Sequence, residues 1–118
     1  MRILLVDDES ELVSALAERL SFRGFEADWA CSGEEAVQKV EQNDYDLAVL
    51  DVKMPRMSGL ELRRILRELK PEMKYIFVSG HGSEEDYIAG ASEAACYLVK
   101  PVKIEDLVAK INQALECE

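Results

Sequence analysis

The sequence predicts a doubly wound α/β domain, in which a parallel sheet carries helices on both faces. Four short apolar runs, ILLV at 3–6, LAVL at 47–50, YIFV at 75–78 and YLV at 97–99, are continuous, which is typical of strands covered on both sides. A weaker run at 25–30 and amphipathic segments between the runs make strand and helix alternate five times, which implies right-handed crossovers. No linker, repeat or shift in composition divides the 118 residues, so we expect one domain over residues 1–118.

The first strand leads into a helix whose apolar stripe ends before Gly24 and consists of Leu12, Val13, Leu16 and Leu20. The next run, FEADWA at 25–30, alternates apolar and polar residues and therefore predicts an edge strand. Ser32 followed by Glu35 fits a capping box, so a second helix should begin there and lead to the strand at 47–50.

A third helix should begin at a second capping box, Ser58 followed by Glu61, and end before Pro71. Its apolar residues are Leu62, Ile65, Leu66 and Leu69. The segment 83–91 is short, acidic and weakly apolar, and predicts a fourth helix that is irregular or that Gly90 ends early. The last helix has the clearest stripe: Ile104, Leu107, Val108, Ile111 and Leu115.

The composition argues against several classes of partner and compartment. Fourteen basic and twenty-four acidic residues give a net charge of -10, which repels phosphate backbones and anionic lipids, so we expect no direct nucleic-acid or membrane partner. The three cysteines match no disulfide or metal-ligand spacing, and reduced thiols favour a cytoplasmic protein. No apolar run approaches the roughly 20 residues of a membrane span.

Polar side chains follow the apolar runs at the points where the strands end, namely Asp7 and Asp8, Asp51, Ser79 and Lys100. In a parallel sheet these ends share one edge, where open α/β folds bind ligands. Two carboxylates about 4 Å apart repel by about 1 kcal/mol in water and about 4 kcal/mol at an effective dielectric of about 20. A hard divalent cation such as Mg²⁺ would neutralise them, and raised pKa values with shared protons are the alternative.

A carboxylate beside such a cation can attack a phosphoryl group and form an acyl phosphate. Asp51 is the isolated carboxylate of the three, so it is the expected nucleophile. Lys100 would bring a positive charge and Ser79 a hydroxyl donor to the phosphoryl oxygens, because phosphoryl transfer depends mainly on positioning and charge.

These residues resemble the receiver domain of two-component response regulators, a family with a flavodoxin-like fold. The resemblance rests on LLVDDE, LAVLDVKMPRMSGLEL, FVSGHG and YLVKPV, which stand in the family's order and approximate spacing and cover essentially the whole chain. It implies a five-stranded parallel sheet of order 2-1-3-4-5. It also implies a cis peptide bond between Lys100 and Pro101, although only about 5–6% of X-Pro bonds are cis.

The resemblance further implies that a histidine kinase or phosphotransfer protein donates a phosphoryl group to Asp51, with Mg²⁺ as the cofactor. By the family pattern, Asp8, Asp51 and the main-chain carbonyl of Lys53 bind the Mg²⁺, and Asp7 assists through water.

By the same pattern, Ser79 is the switch hydroxyl, Lys100 contacts the phosphoryl group and Tyr97 is the switch aromatic. The readout face would consist of the helix predicted at 83–91, the strand at 97–99 and the last helix. A phosphorylation-dependent homodimer is one form that the output could take, and the output protein stays open. Whether the chain is a stand-alone receiver or part of a longer regulator stays open as well.

Such a protein is a signalling switch and not an enzyme with outside substrates, and two alternatives compete with it. A phosphatase of the haloacid-dehalogenase type would need a second Asp where this sequence has Lys53. A phosphorylation-independent binding module would not need the complete set of polar residues found here. One further hypothesis is that Lys53 and His81 tune how easily water attacks the acyl phosphate.

Overall fold

The computed structural model describes residues 1–80 and 97–116. The strands are β1 (Arg2–Val6), β2 (Glu26–Ala30), β3 (Leu47–Asp51), β4 (Lys74–Ser79) and β5 (Tyr97–Val99). The helices are α1 (Ser10–Ser21), α2 (Gly33–Gln42), α3 (Gly59–Leu69) and α4 (Ile104–Glu116), of which α4 is the last helix predicted from the sequence. The helix predicted at 83–91 and the tuning residue His81 lie outside the described residues.

The five strands form one parallel sheet in the order β2-β1-β3-β4-β5, as predicted. The predicted edge strand, β2, lies at one end of this order and pairs only with β1 among the described strands. Val6 pairs with Leu50, and Asp51 with Val78, so the carboxyl ends of the three central strands meet at one edge of the sheet.

The continuous apolar runs are explained by a core on each face of the sheet. Alternate residues of the central strands, such as Leu4 and Leu50, pack with the buried side chains of α2 and α3. The intervening residues, such as Leu5 and Val49, pack with the buried side chains of α1 and α4. Neighbouring residues on a strand point to opposite faces, so a strand that is covered on both faces is apolar throughout.

The predicted helix boundaries are set by local hydrogen bonds. Ser32 Oγ accepts from the backbone N–H of Glu35 (3.1 Å), and Ser58 Oγ accepts from that of Glu61 (3.2 Å), so both predicted capping serines cap their helices. The predicted stop after α1 is also found, because Gly24 adopts a φ of 90°, which favours glycine over other residues.

The apolar residues of α3 differ in how deeply they are buried. Leu62 and Leu66 of α3 are fully buried, but Ile65 and Leu69 are 36% and 39% exposed. Ile65 lies about 60° around the helix from Leu62, beyond the narrow strip that touches the sheet. Leu69 is the last residue of the helix. Within residues 1–80 and 97–116, no helix combines the length and apolarity needed to cross a membrane.

Candidate functional site

Polar residues lie at the carboxyl ends of four strands, along one edge of the sheet. Asp7 directly follows β1, Asp51 ends β3, Ser79 ends β4 and Lys100 directly follows β5. Asp7, Asp51 and Ser79 are buried, although their side chains are polar. Because the strands are parallel and in register, residues far apart in sequence come together here.

Three carboxylates lie in close proximity at this edge. Asp7, Asp8 and Asp51 each present an oxygen, and the three oxygens lie within 4.8 Å of one another. The backbone N–H of Glu9 donates to Asp7 Oδ1 (3.0 Å), and that of Lys53 donates to Asp51 Oδ1 (3.4 Å). These bonds hold the two carboxyl groups in place, and each occupies one of the about four acceptor sites of an ionised carboxylate.

The crowding changes the proton affinity of the carboxylates. Burial, followed by the negative charge of Asp7, raises the pKa of Asp51 from 3.8 to about 6. The pKa of Asp8 is also raised, by burial and then by its hydrogen bond and charge interaction with Asp7. Burial and the neighbouring negative charge therefore both disfavour the ionised forms of these carboxylates.

Lys100 is the basic side chain that reaches the carboxylates. Its Nζ lies 3.1 Å from Asp7 Oδ2, 3.3 Å from Glu9 Oε1 and 3.4 Å from Asp51 Oδ2. Burial acts to lower the pKa of the ammonium, but the carboxylates, Asp51 first, outweigh burial and raise that pKa above its usual range. Lys100 is therefore fully charged at neutral pH. Its bond to Pro101 is cis, as the family resemblance predicts.

The donor set fits a magnesium ion. Mg²⁺ prefers oxygen ligands, is held in proteins by one or two carboxylates and keeps several waters. Asp8 and Asp51 line an open cleft of about 660 Å³ together with Lys53 and Lys100, so water and a small anion have room beside the carboxylates. The ammonium of Lys100 pairs with two of the three carboxylates, Asp7 and Asp51, so the cluster keeps net negative charge for a divalent cation to balance.

Gly59 lets the start of α3 pack closely against the backbone of Asp51, a role that the sequence analysis did not assign to it. The N–H of Gly59 donates to the carbonyl of Val52 (2.9 Å), which brings the start of α3 back against the end of β3. A Cβ at Gly59 would lie 2.9 Å from the carbonyl carbon of Asp51, 3.0 Å from Val52 Cα and closer still to the Asp51 carbonyl oxygen. Only glycine therefore fits without displacing backbone. The signal in the sequence was a glycine directly after a helix-capping serine.

Glu9 was also missed. It lines the cleft and contacts Lys100. The sequence offered one signal, because Glu9 stands directly before a helix, where Ser, Thr, Asp or Asn is preferred.

The remaining predicted residues have the following positions. Tyr97 begins β5, is half-buried and packs against the core on the α2 and α3 face. Lys53 is exposed and follows Asp51 by two residues at the wall of the cleft. The carbonyl of Ser79 accepts from the N–H of Lys100 (2.8 Å), which ties the ends of β4 and β5 together.

Comparisons with known proteins point to one family. The sequence model of the response regulator receiver domain matches residues 3–112. The chain is 38% identical to the response regulator MprA of Mycobacterium leprae over 116 residues, which are 98% of this chain and 51% of that protein. It is 37% identical to the two-component response regulator PhoP of Pseudomonas aeruginosa, over 98% of this chain and 52% of that protein. The chain thus spans about half the length of the curated relatives that it matches.

Solved structures of response regulator proteins are similar to this chain in both fold and sequence. A CheY-like receiver domain protein of Methanospirillum hungatei superposes with a TM-score of 0.86 at 35% identity, over 98% of this chain and 93% of that chain. The response regulator TrrA of Thermotoga maritima, in complex with Mg²⁺-BeF, gives a TM-score of 0.81 at 37% identity, over 96% of this chain and 97% of that chain.

Proposed function

Since this chain belongs to the response regulator receiver domain family, we propose that Asp51 accepts a phosphoryl group from a histidine kinase or phosphotransfer protein in an Mg²⁺-dependent reaction. The observation that carries the proposal is the environment of Asp51. Its carboxylate is buried at a strand end, beside two more carboxylates and 3.4 Å from the ammonium of Lys100.

Asp8, Asp51 and the main-chain carbonyl of Lys53 would hold the Mg²⁺, with Asp7 acting through water. When bound, the cation neutralises the carboxylates and draws charge from the phosphoryl oxygens. The carboxylates fit this role because their oxygens converge within 4.8 Å.

Asp51, Lys100 and Ser79 act directly in the phosphoryl transfer. An oxygen of Asp51 attacks the phosphorus, the oxygen–phosphorus bond forms, and the bond from phosphorus to the donor's histidine nitrogen breaks with its electron pair on nitrogen. Lys100 contacts a phosphoryl oxygen, and the Ser79 hydroxyl donates to another. The ammonium of Lys100 already lies 3.4 Å from Asp51 Oδ2, so it is close to where charge develops on the phosphoryl oxygens.

The phosphoryl group then shifts a population of conformations. Its contacts with Ser79 and Lys100 favour a state in which Tyr97 turns towards the sheet edge. The readout face would comprise β5, α4 and the helix predicted at 83–91, which lies outside the described residues. To move the equilibrium from 1:99 to 99:1, the group must prefer that state by about 5.5 kcal/mol, and a few charge-assisted hydrogen bonds can supply that.

Residues 1–118 act in this proposal as one receiver domain of a cytoplasmic signalling protein, which modifies no outside substrate. Lys53 occupies the position where a haloacid-dehalogenase phosphatase needs its second Asp, which weighs against that enzyme class. Lys53 and His81 instead tune the lifetime of the acyl phosphate. Exchanging Lys53→Asn and His81→Ala should change its decay rate, and unchanged decay would refute the tuning role.

Beryllofluoride, which mimics a phosphoryl group on a carboxylate, tests the central assignment. With Mg²⁺ present, calorimetry should show binding to the unaltered protein and to Asp44→Asn, because Asp44 is exposed and pairs with Lys70 away from the site. Asp51→Asn should not bind. Binding by Asp51→Asn would refute Asp51 as the acceptor, and the absence of binding to the unaltered protein would favour the phosphorylation-independent binding module. Sedimentation with and without beryllofluoride would reveal a phosphorylation-dependent homodimer.

A further inference from the structure

Glu9 stands at the N-cap position of α1, where Ser, Thr, Asp or Asn is usually found. It occupies the N-cap position with extended backbone angles (φ -88°, ψ 93°), and its side chain makes no capping hydrogen bond to the first turn, which lies wholly within the described residues. Ser32 and Ser58 do cap α2 and α3. A residue that forgoes a local stabilising contact often marks a functional position.

The Glu9 side chain reaches Lys100 instead. Its Oε1 accepts from Lys100 Nζ at 3.3 Å, across 91 positions of sequence. The side chain of Glu9 is 63% exposed, whereas those of the other two carboxylates on Lys100, Asp7 and Asp51, are 9% and 5% exposed. Glu9 therefore holds the ammonium from the solvent side, where it also lines the cleft.

Asp51, Glu9 and Lys100 line the same cleft, so an anionic group bound to Asp51 in that cleft would meet the ammonium beside Glu9. We propose that Glu9 is a positioning residue, which holds Lys100 at the mouth of the cleft in the unphosphorylated protein and competes with the phosphoryl group for it. The inference rests on the proposed function, since it concerns the anion bound at Asp51. Both the competition for the ammonium and the repulsion between Glu9 and the incoming anion disfavour the bound state.

Three variants separate this role from a general effect of charge. Glu9→Gln removes the charge and keeps the length of the side chain. Glu9→Asp keeps the charge but is shorter by one methylene, so its carboxylate no longer reaches Lys100. Glu11→Gln removes an acidic residue in the first turn of the same helix and serves as the matched control.

The measurement is the affinity for beryllofluoride by calorimetry at saturating Mg²⁺, together with the affinity for Mg²⁺ alone. An exposed ion pair contributes little, so Glu9→Gln should bind beryllofluoride about two- to fivefold more tightly. Glu9→Asp should resemble Glu9→Gln, and Glu11→Gln should match the unaltered protein. Mg²⁺ alone should bind slightly more weakly to Glu9→Gln, because a nearby negative charge is lost.

The outcomes are distinguishable. Unchanged or weaker beryllofluoride binding by Glu9→Gln overturns the proposal, as does an equal gain in Glu11→Gln. If Glu9→Asp behaves like the unaltered protein while Glu9→Gln binds more tightly, the effect comes from charge alone and the contact with Lys100 is not responsible. If the unaltered protein binds no beryllofluoride, the proposed function itself fails and the role of Glu9 fails with it.

Discussion

The buried carboxylate of Asp51 should destabilise the metal-free protein at neutral pH. Its pKa rises from 3.8 to about 6 in the folded state, a difference of about 2 pH units, mainly because of burial. At about 1.36 kcal/mol per unit, the penalty approaches 3 kcal/mol when the pH exceeds both values. Because the folded state binds the proton more tightly, this penalty grows as the pH rises from about 4 to 7.

The substitution Asp51→Asn removes this penalty, which already includes the attraction between Asp51 and Lys100, because Lys100 acts to lower the pKa of Asp51. The variant should therefore be more stable than the unaltered protein by about 3 kcal/mol at pH 7.5 without metal. Its advantage should shrink by about 2 kcal/mol at pH 4.5, where Asp51 is protonated in the folded state.

Urea unfolding in the presence of a chelator measures this difference, and about 3 kcal/mol corresponds to a midpoint shift of roughly 1.5 M. Asp44→Asn is a control of opposite sign, because the hydrogen bond from Lys70 lowers the pKa of Asp44. Adding Mg²⁺ should stabilise the unaltered protein more than Asp51→Asn, since a ligand that binds only the folded state stabilises it. A pH-independent difference, or a less stable Asp51→Asn at pH 7.5, would show that ionised Asp51 does not destabilise the folded state.

Three further predictions follow from the contacts around the site. Gly59→Ala should destabilise the protein by about 1–3 kcal/mol in urea unfolding and weaken Mg²⁺ binding, because its methyl group meets the backbone of Asp51. An unchanged urea midpoint for Gly59→Ala would contradict this. Ser58→Ala should lower the free energy of unfolding by about 1 kcal/mol through loss of the α3 cap, and an unchanged urea midpoint would count against the cap. Lys100→Met should weaken beryllofluoride binding more than tenfold while Mg²⁺ alone binds as well or better, and calorimetry showing normal beryllofluoride affinity would exclude Lys100 as a phosphoryl contact.

The sequence predicted the sheet and the residues at its edge because both depend on short-range patterns. A continuous apolar run such as LAVL at 47–50 indicates a strand covered on both faces, and the residue that ends it, Asp51, then has a known place in a parallel sheet. Ser32 and Ser58 were predictable for the same reason, since a cap involves residues only three positions apart.

Other features depend on contacts that a linear pattern does not contain. The role of Glu9 depends on how the end of β5 places Lys100, 91 residues later. The requirement for Gly59 depends on how closely the loop after β3 returns to Asp51. The apolar spacing of α3 likewise did not distinguish Leu62, which is buried, from Ile65, which is exposed, because the width of the buried strip depends on what packs beside the helix.

The central claim is that Asp51 is the phosphoacceptor, and direct phosphorylation tests it. The protein should be incubated with Mg²⁺ and a small phosphoryl donor such as acetyl phosphate, and intact-mass spectrometry should count the groups attached. We expect one phosphoryl group that is labile to hydroxylamine, as an acyl phosphate is, and that is absent from Asp51→Asn and from protein treated with a chelator. An equal yield of modified Asp51→Asn, or a group that resists hydroxylamine, would rule out Asp51 as the phosphoacceptor.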